Sequence, residues 1–288
     1  MKCANISNVF EDKVLGFLLS TNPDLTDAKP TEVDAKSYDE ATHYMNWEKT
    51  LDVDSLQPNT TYYYRAYMYD GYSYCYGEVK SFTIPDTHEY VDLGLPSGTL
   101  WATCNIGADN PEEYGDYFAW GETSPKANYD EWNYKYWNLY YVDNDVEIYK
   151  YNTDSGYGTV DNKMELDLSD DAAYVNWGSG WRMPSKAQCV ELFNSSYTTT
   201  TWTTQNGVYG RKITSRKNGN SLFLPAAGGR YHASLGYAGS NGHFWSRTLN
   251  ADMPYYGWYL GFGSSGWGTF YYSRYSGLSV RPVRASQN

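Results

Sequence analysis

The chain has 288 residues, of which 41% are hydrophobic and 18% aromatic, with 32 Tyr and 11 Trp against 9 Phe. This length accommodates two domains. The excess of Tyr predicts that many of its rings lie at a surface, because each buried hydroxyl needs a hydrogen-bond partner. The formal net charge of -12 argues against nucleic acid as a partner, since phosphate binding requires a positive surface.

The four cysteines, Cys3, Cys75, Cys104 and Cys189, are too few and too scattered for a disulfide scaffold, and none forms a CxxC pair. A Cys104–Cys189 disulfide is one pairing that the sequence leaves open. No apolar run is long enough to cross a bilayer, and the opening MKCANISNVFEDK lacks the apolar core of a signal peptide. We therefore expect no membrane insertion by this segment, and an export signal that lies outside it.

In chain order, residues 1–86 are predicted to form short strands. The apolar run VLGFLL occupies residues 14–19, TYYYRAYMY at residues 61–69 alternates two faces, and SFTI at residues 81–84 closes this half. The Pro and Asp of TIPDTHEY then interrupt the pattern. We place a domain boundary near residue 86.

The motif LQPNTTY, residues 56–62, precedes the long alternating strand. With GFLLSTNPDLT before it and YGEVKSFT after it, this motif resembles the Leu-x-Pro-x-Thr-x-Tyr corner of fibronectin type III domains, where the Tyr hydroxyl bonds to nearby backbone. The resemblance implies an immunoglobulin/fibronectin type III-like β-sandwich over residues 1–86, although about seventy residues match against the ~100 usual for the fold. Titratable groups do not cluster here, so we expect a spacer.

Two short helices are predicted in the second half, residues 88–288. The first begins at Ser169 as N-cap, has acids in its first turn and continues to Gly178. The second begins with a capping box, Ser185 at the N-cap and Gln188 at N3. Gly-punctuated strands such as SLFL and WYLGF surround them. Helices embedded in many short strands favour an α+β domain over a pure sandwich.

Four segments occur in order along almost all of this half: EYVDLGLPSGTLWATCNIGADNPEEYGDYFAWGET, WGSGWRMPSKAQCVELF, NSLFLPAAGGR and GLSVRPVR. They resemble the Fibrobacter succinogenes major paralogous domain family. The resemblance implies a C-type-lectin-like fold, akin to that of formylglycine-generating enzymes and of the variable proteins of diversity-generating retroelements. It also implies an exported bacterial protein, from gut Bacteroidales or their phages, that is extracellular, on the cell surface or on a virion. Function does not follow from a fold, so the site is argued from its own residues.

Residues 231–276 have an unusual composition: Tyr, Gly and Ser fill half of them, and Arg247, Asp252 and Arg274 are their only charged residues. Antibody paratopes share this bias, because Tyr gives large, rigid contact area while Gly and Ser adapt. Strand alternation separates the segment WYLGFG into two faces, one with Trp258, Leu260 and Phe262 and the other with Tyr259, Gly261 and Gly263. The first face is expected to anchor a core, and the second to vary without disturbing it.

This segment also resembles the variable region of retroelement-diversified proteins, in which adenine-rich Asn codons are scrambled. Such codons can encode Tyr, Ser, Gly, His, Phe, Arg or Thr but never Trp, so Trp245, Trp258 and Trp267 are interpreted as scaffold. The predicted ligand-binding residues are Tyr231, His232, Arg247, Tyr255, Tyr256, Tyr259, Gly261, Gly263, Gly268, Thr269, Phe270, Tyr271, Tyr272, Tyr275 and Ser276. A loop-rich β region with fixed residues is the alternative interpretation.

Catalytic chemistry has weak support in the sequence. Neither Cys104 nor Cys189 has a neighbouring His or a helix N-terminus to stabilise a thiolate. The histidines His43, His88, His232 and His243 are dispersed, without HxxxH spacing. The Glu-Pro-Asn, Gln-Pro-Asp and Trp-Asn-Asp tripeptides of calcium-dependent lectins do not occur.

The sequence therefore predicts a non-enzymatic receptor without cofactor or metal, which binds a protein or glycan on another cell or phage-host surface. A fixed-specificity carbohydrate-binding lectin or adhesin, and a formylglycine-generating-type enzyme, stay open as alternatives. Tyr→Ala changes at Tyr255, Tyr256 or Tyr271 are expected to abolish binding with little change in stability. Trp258→Ala is expected to destabilise the domain, because loss of a buried indole costs ~3–5 kcal/mol.

Overall fold

The structure is a computed structural model that describes residues 14–39, 44–52, 56–139 and 146–285. It consists mostly of β-strands in several sheets, with two α-helices in these ranges. The chain divides into two compact units, Met1–Asp86 and Thr87–Asn288. The expected β-rich, multidomain class is therefore confirmed. Cys3 and His43 lie outside the described residues.

The strands of the first unit are β1 (Val14–Ser20), β2 (Lys29–Glu32), β3 (Ala35–Asp39), β4 (Tyr44–Glu48), β5 (Thr61–Tyr69), β6 (Tyr74–Tyr76) and β7 (Lys80–Thr83). One sheet has the order β2-β1-β5-β6, with β7 paired to β5, and β3 and β4 form a separate hairpin. The three runs predicted as strands correspond to β1, β5 and β7. Strand β5 is central because residues 63–69 of its long alternating run pair with β1, while its other side pairs with β6 and β7.

The predicted tyrosine corner is present in the first unit. The backbone N–H of Gln57 donates to the hydroxyl of Tyr62 at 2.9 Å. Tyr62 is buried, and its ring stacks on Phe82 of β7 with a centroid distance of 5.6 Å. The Tyr62 hydroxyl thus accepts from an N–H of the turn, which confirms the expected bond, while its ring packs on its cross-strand partner in β7.

The second unit contains the remaining strands and both helices. They are β8 (Tyr90–Asp92), β9 (Thr99–Ala102), β10 (Tyr117–Phe118), β11 (Trp137–Leu139), β12 (Val146–Ile148), α1 (Ala172–Trp177), α2 (Lys186–Leu192), β13 (Thr198–Gln205), β14 (Val208–Ser215), β15 (Ser221–Pro225), β16 (Gly229–Tyr231), β17 (Ser234–Gly236), β18 (Gly242–Leu249), β19 (Tyr256–Phe262), β20 (Trp267–Ser273), β21 (Leu278–Ser279) and β22 (Val283–Ala285). Its largest sheet has the order β10-β21-β18-β19-β20. Three-stranded sheets β13-β14-β15 and β22-β9-β8 and the hairpins β11-β12 and β16-β17 complete the unit.

Both predicted helices form, and one prediction about them is wrong. The N-cap of α1 is Asp171, whose carboxylate accepts from the backbone N–H groups of Ala173 and Tyr174, whereas Ser169 lies in a preceding 3₁₀ turn. Asp171 is favoured because its buried carboxylate also pairs with Arg182 at 2.7 Å. The capping box of α2 is confirmed, with Ser185 and Gln188 bonding reciprocally.

The core of the second unit has two parts. The first surrounds fully buried indoles, among them Trp120, Trp181 and Trp245. The second lies between α2 and the large sheet, where Leu192 packs with Leu260 and other apolar residues. Helix α2 therefore covers one face of the strands that carry the predicted binding residues.

A buried arginine fixes the chain directly after β20. The Arg274 side chain donates from Nε to the Tyr134 hydroxyl at 2.9 Å, from Nη1 to the Pro254 carbonyl at 2.9 Å and from Nη2 to the Lys150 carbonyl at 3.0 Å. Its guanidinium also lies 5.0 Å from the centroid of the Trp120 ring. Carbonyl and ring contacts thus solvate a cation that is 0% exposed.

Candidate ligand-binding surface

The large sheet ends at β20, whose one hydrogen-bonded neighbour among the described strands is β19. Seven residue pairs join these strands without a register shift. We call the side covered by α2 the helix face and the opposite side the far face. Leu260 and Phe262 are buried on the helix face, and Tyr259 points to the far face. The predicted separation of these residues is confirmed.

Aromatic rings meet on the far face of β18, β19 and β20. Tyr259 lies at their centre, with its ring centroid 5.4 Å from His243, 5.8 Å from Phe270 and 6.2 Å from Tyr272. Phe270 and Tyr272 are 50% and 38% exposed. Phe270 and Tyr272 therefore contact both Tyr259 and solvent, as the rings of a contact surface do, whereas Tyr259 itself also packs against the core that contains Trp245.

Strand β16 and the residue directly after β17 add two tyrosines to this group. The Tyr231 ring lies 5.5 Å from Tyr272 and 6.3 Å from Tyr237, and Tyr237 lies 6.0 Å from His243. Tyr237 is 64% exposed and has a left-handed backbone, with φ of 61°. We call the whole group the Tyr259 cluster; its members are Tyr231, Tyr237, His243, Tyr259, Phe270 and Tyr272.

The Tyr259 cluster is uncharged at neutral pH. Burial lowers the pKa of His243 to about 4, so its imidazole is neutral. Burial raises the pKa values of Tyr231 and Tyr259, which keeps both phenols protonated. Residues 255–273 contain no charged side chain. Contacts at this surface must therefore come from ring faces, hydroxyls and backbone groups.

Two glycines face each other beneath one of these rings. Gly261 of β19 pairs with Gly268 of β20, and a Cβ at either position would lie 2.9 Å from the Phe270 ring. The ring therefore extends over backbone that carries no side chain. A cavity of about 430 Å³ adjoins it, lined by residues that include His243, Tyr259, Trp267 and Phe270.

A second aromatic group occupies the helix face of β19 and β20. The Tyr271 ring, 46% exposed, lies 5.3 Å from Tyr256 and 5.7 Å from Trp258. The ammonium of Lys186, the first residue of α2, lies 3.0 Å from the centre of the Trp258 ring. Tyr255 lies directly before β19, and its ring lies 5.3 Å from Tyr256 while it stacks on buried Trp137 at 4.4 Å. We call Tyr255, Tyr256, Trp258 and Tyr271 the Tyr271 group.

An open cleft of about 800 Å³ adjoins the Tyr271 group. Its lining combines aromatic residues with carboxylates, in particular Trp132, Tyr256, Glu131 and Glu147. The Tyr255 hydroxyl lies 3.4 Å from the Glu131 carboxylate. Together the two groups place predicted residues on both faces of β20.

Some predicted site residues have scaffold contacts instead. Arg247 pairs with Glu165 at 2.8 Å and donates to the Met183 carbonyl at 2.8 Å, which ties β18 to the start of α2. Ser276 is fully buried, so the expectation that it lies at the surface is wrong. The chain turns inward at Arg274, and this turn carries Ser276 below the surface. Tyr275 is half-buried and its ring lies 5.8 Å from Trp137.

The remaining predicted residues lie beside the two aromatic groups. His232 is exposed, and its backbone pairs with Tyr129. Gly263 belongs to the β19–β20 turn, where its N–H donates to the Gly266 carbonyl at 2.9 Å. Thr269 of β20 is half-buried and pairs with Leu260, so it points to the helix face.

The scaffold role predicted for three tryptophans holds fully for one of them. Trp245 is buried and donates from Nε1 to the Phe118 carbonyl at 2.8 Å. Trp258 is half-buried and lies beneath Lys186, and Trp267 is exposed at 39% while one side of its ring packs 4.8 Å from Phe193. Both belong to the surface, because the helix face extends beyond the area that α2 covers. The strong destabilisation predicted for Trp258→Ala is therefore not expected.

Sequence reasoning missed Tyr237 and His243 as parts of the surface. Both fit the codon set used to select the other residues. Their position depends on how the β16-β17 hairpin lies against β18, which no local pattern indicates. Leu235 lies in the same hairpin and is 40% exposed.

The thiols do not form a reactive pair. Cys104 and Cys189 are free, so the Cys104–Cys189 disulfide is not formed, whereas Cys75 is disulfide-bonded. Cys189 is buried, and burial raises its pKa to about 12, which keeps the thiol protonated. Within residues 14–39, 44–52, 56–139 and 146–285, no three His, Cys, Asp or Glu side chains group closely enough to hold a metal ion.

No protein-family model, curated protein or solved structure matches this chain. In the described part of the chain, no helix has the length and apolar character needed to span a membrane.

Proposed function

We propose that the second unit is a ligand-binding domain and that the Tyr259 cluster and the Tyr271 group form its contact surface. The observation that carries the proposal is the exposure of Phe270, Tyr271 and Tyr272, three consecutive aromatic residues. Alternate residues of a strand point to opposite faces, so both faces of β20 are aromatic and open. Rigid, uncharged aromatic surfaces of this kind are typical of macromolecular recognition, where Tyr and Trp supply most of the binding energy.

We further propose that this domain has the C-type-lectin-like fold of the Fibrobacter succinogenes major paralogous domain family. The segments that carry the resemblance supply buried core residues, namely Trp101, Trp120, Trp181 and Arg281. Motif residues that hold a core together support a shared scaffold. For the first unit we propose a fibronectin type III-like spacer, which the Tyr62 corner supports.

Our proposal includes diversification of the surface by a retroelement. Phe270, Tyr271 and Tyr272 are residue types that scrambled Asn codons can encode, and their exposed side chains can change without disturbing the buried core. Tyr259 is such a residue type too, although its ring also packs against the core. The test is deep amplicon sequencing of codons 225–284 across the source population. We expect substitutions at adenine positions of these codons, with the codons for buried Arg274, Ser276 and Trp245 unchanged. A uniform sequence, or variation spread equally over buried codons, would contradict diversification and leave a binder of fixed specificity.

The proposed ligand is a protein or glycan on another cell or phage-host surface, met outside the producing cell. The disulfide of Cys75 supports an oxidising compartment, because such bonds persist mainly in exported proteins. The net charge of -12 disfavours nucleic acid. The proposed receptor needs no catalytic group, and the buried, protonated Cys189 does not favour a thiol enzyme.

Binding is tested with the labelled full chain on a panel of gut bacterial cells and on a glycan array. Phe270→Ala and Tyr272→Ala are expected to lower binding at least tenfold while the melting temperature changes little. The matched control is Tyr209→Ala, since Tyr209 is a 50% exposed tyrosine on β14, outside both aromatic groups. Equal binding by all three variants would contradict the proposed surface.

A glycan-specific lectin is the second candidate, and the cleft beside the Tyr271 group is the observation that favours it. Its aromatic and carboxylate lining suits sugar rings, which stack on aromatic faces and donate hydrogen bonds to carboxylates. In that case Glu131→Gln and Tyr256→Ala would remove binding of a defined glycan, whereas Tyr272→Ala would retain it. The same array therefore separates the two candidates.

A further inference from the structure

Strand β20 has exposed side chains on both faces and lies at the edge of its sheet. Phe270 and Tyr272 are exposed on the far face, Trp267 and Tyr271 are exposed on the helix face, and β19 is its one paired neighbour among the described strands. The backbone groups on the outer side of an edge strand have no partner strand. This strand therefore presents main-chain donors and acceptors between two aromatic rows.

This edge lacks the features that usually prevent strand pairing. Such edges are commonly blocked by Lys, by Pro, by a bulge or by short length. The sequence WGTFYYS of β20 contains no charge and no Pro, and its seven pairs with β19 run without a bulge. The neighbouring β18–β19 pairing, in contrast, does shift its register after Trp245.

Both ends of β20 are held in place. At the start, Arg211 of β14 donates to the carbonyl of Gly263 in the preceding turn, at 3.1 Å from Nε and 2.8 Å from Nη2. At the far end, Arg274 is fixed by buried acceptors. A strand anchored at both ends loses little conformational freedom on binding, which favours association.

We propose that β20 pairs main chain to main chain with an extended segment of the protein ligand. The inference rests on the proposed function and states how that surface recognises its partner. The added strand would place alternate side chains against Phe270 and Tyr272 on one face and against Trp267 and Tyr271 on the other. Since residues 255–273 carry no charge, the fitting segment is uncharged and rich in β-branched or aromatic residues.

Pairing through the main chain of β20 would keep the same docking geometry when the exposed side chains vary. The backbone of β20 offers the same hydrogen bonds whatever residues occupy its exposed positions. The main chain therefore supplies a constant part of the affinity, and the two aromatic rows supply the specificity and the rest of the affinity. A second copy of the chain is a weaker occupant, because two molecules of charge -12 repel each other.

The probe is the synthetic peptide acetyl-Lys-Thr-Val-Thr-Val-Thr-Val-Glu-amide, which is neutral overall. Its control is the same peptide with every Thr and Val backbone nitrogen methylated, which removes the main-chain donors of these six residues but keeps the side chains. Residue-resolved amide hydrogen exchange is measured on the full chain with each peptide in excess. We expect the unmethylated peptide to slow exchange of outward amides in residues 267–273 by roughly tenfold or more, and the methylated peptide to have no effect.

The double variant Phe270→Ala/Tyr272→Ala separates main-chain from side-chain recognition. Strand addition predicts that peptide protection of β20 persists in this variant. Equal effects of the two peptides, protection confined to other strands, or no protection would overturn the proposal. Protection of β20 that rises with protein concentration in the absence of peptide would also overturn it, since the occupant would then be a second copy.

The cell-binding test of the Tyr variants is independent of the peptide result. Loss of cell binding in Tyr272→Ala without peptide protection would leave the proposed function standing and remove strand addition. Peptide protection together with full cell binding in Tyr272→Ala would support main-chain pairing by β20 and contradict the proposed role of the aromatic rings in cell binding.

Discussion

Two neighbouring stretches of the tail have opposite environments. Strand β20, Trp267–Ser273, is exposed on both faces, whereas residues 274–283 are buried at every position except the half-buried Tyr275. Both contain Tyr, Ser and Gly. The difference comes from the order of the sheet, because β20 lies at its edge and β21 lies between β10 and β18. Composition therefore identifies a contact segment only roughly, and position in the sheet decides which residues reach solvent.

Loss of the buried Arg274 guanidinium should lower the free energy of unfolding more than any other substitution considered below. Arg274→Ala removes the donors to the Tyr134 hydroxyl and to the carbonyls of Pro254 and Lys150, and it opens a cavity. We expect the free energy of unfolding of the second unit to fall by about 3–5 kcal/mol. Chemical denaturation followed by Trp fluorescence measures it. Arg216→Ala, at an exposed arginine, is the control. An equal loss of stability in this variant would contradict the special role of the buried arginine.

Two glycines of the β19–β20 hairpin allow the same comparison between a buried and an exposed position. A Cβ at Gly257 would lie 2.7 Å from Cδ1 of the fully buried Trp120, whereas a Cβ at Gly268 would meet only the half-exposed Phe270 ring, which can move. Gly257→Ala should therefore cost about 1–3 kcal/mol, and Gly268→Ala less than about 0.5 kcal/mol. Melting curves of both variants test this. Similar losses would mean that Phe270 is as constrained as Trp120.

Acid should weaken the fold through His243 of the Tyr259 cluster. Its pKa is about 4 in the folded chain and 6.5 when unperturbed, because burial disfavours the imidazolium. Between these values the unfolded chain binds more protons, so stability falls as pH decreases from about 6.5 to about 4. His243→Gln should flatten this part of the stability–pH curve. The unsubstituted chain is the reference, and an unchanged slope in His243→Gln would contradict this assignment.

The smallest change in stability is expected at Ser276, a residue wrongly predicted to lie at the ligand-binding surface. The Ser276 hydroxyl is buried without a hydrogen-bond partner among the described residues, whereas the Ser279 hydroxyl donates to the Tyr114 carbonyl at 3.2 Å. Ser276→Ala should therefore be neutral or stabilising by up to about 1 kcal/mol, and Ser279→Ala should destabilise by about 1 kcal/mol. Differential scanning calorimetry can rank the two variants. Loss of ligand binding in Ser276→Ala would restore it to the site.

Local patterns predicted the elements whose signals are local. The alternation of residues 61–69 corresponds to β5, and the tyrosine corner and capping box form with the residues expected. The N-cap of α1 was misplaced at Ser169, because the preference for Asp171 depends on Arg182, eleven residues further along the chain. The exposure of Tyr237 and the burial of Ser276 depend on contacts between distant segments, so no window of the sequence contains them.

By itself the sequence determined the strand alternation that separates Leu260 and Phe262 from Tyr259, since the period of a strand is a local property. It also determined the absence of charge from residues 255–273. Only the tertiary structure decided that β20 lies at the sheet edge, that α2 covers one face of β19, and that Arg274 turns the chain inward. These features depend on which strands pair and which buried acceptors surround a cation, and both are set by packing across the whole unit.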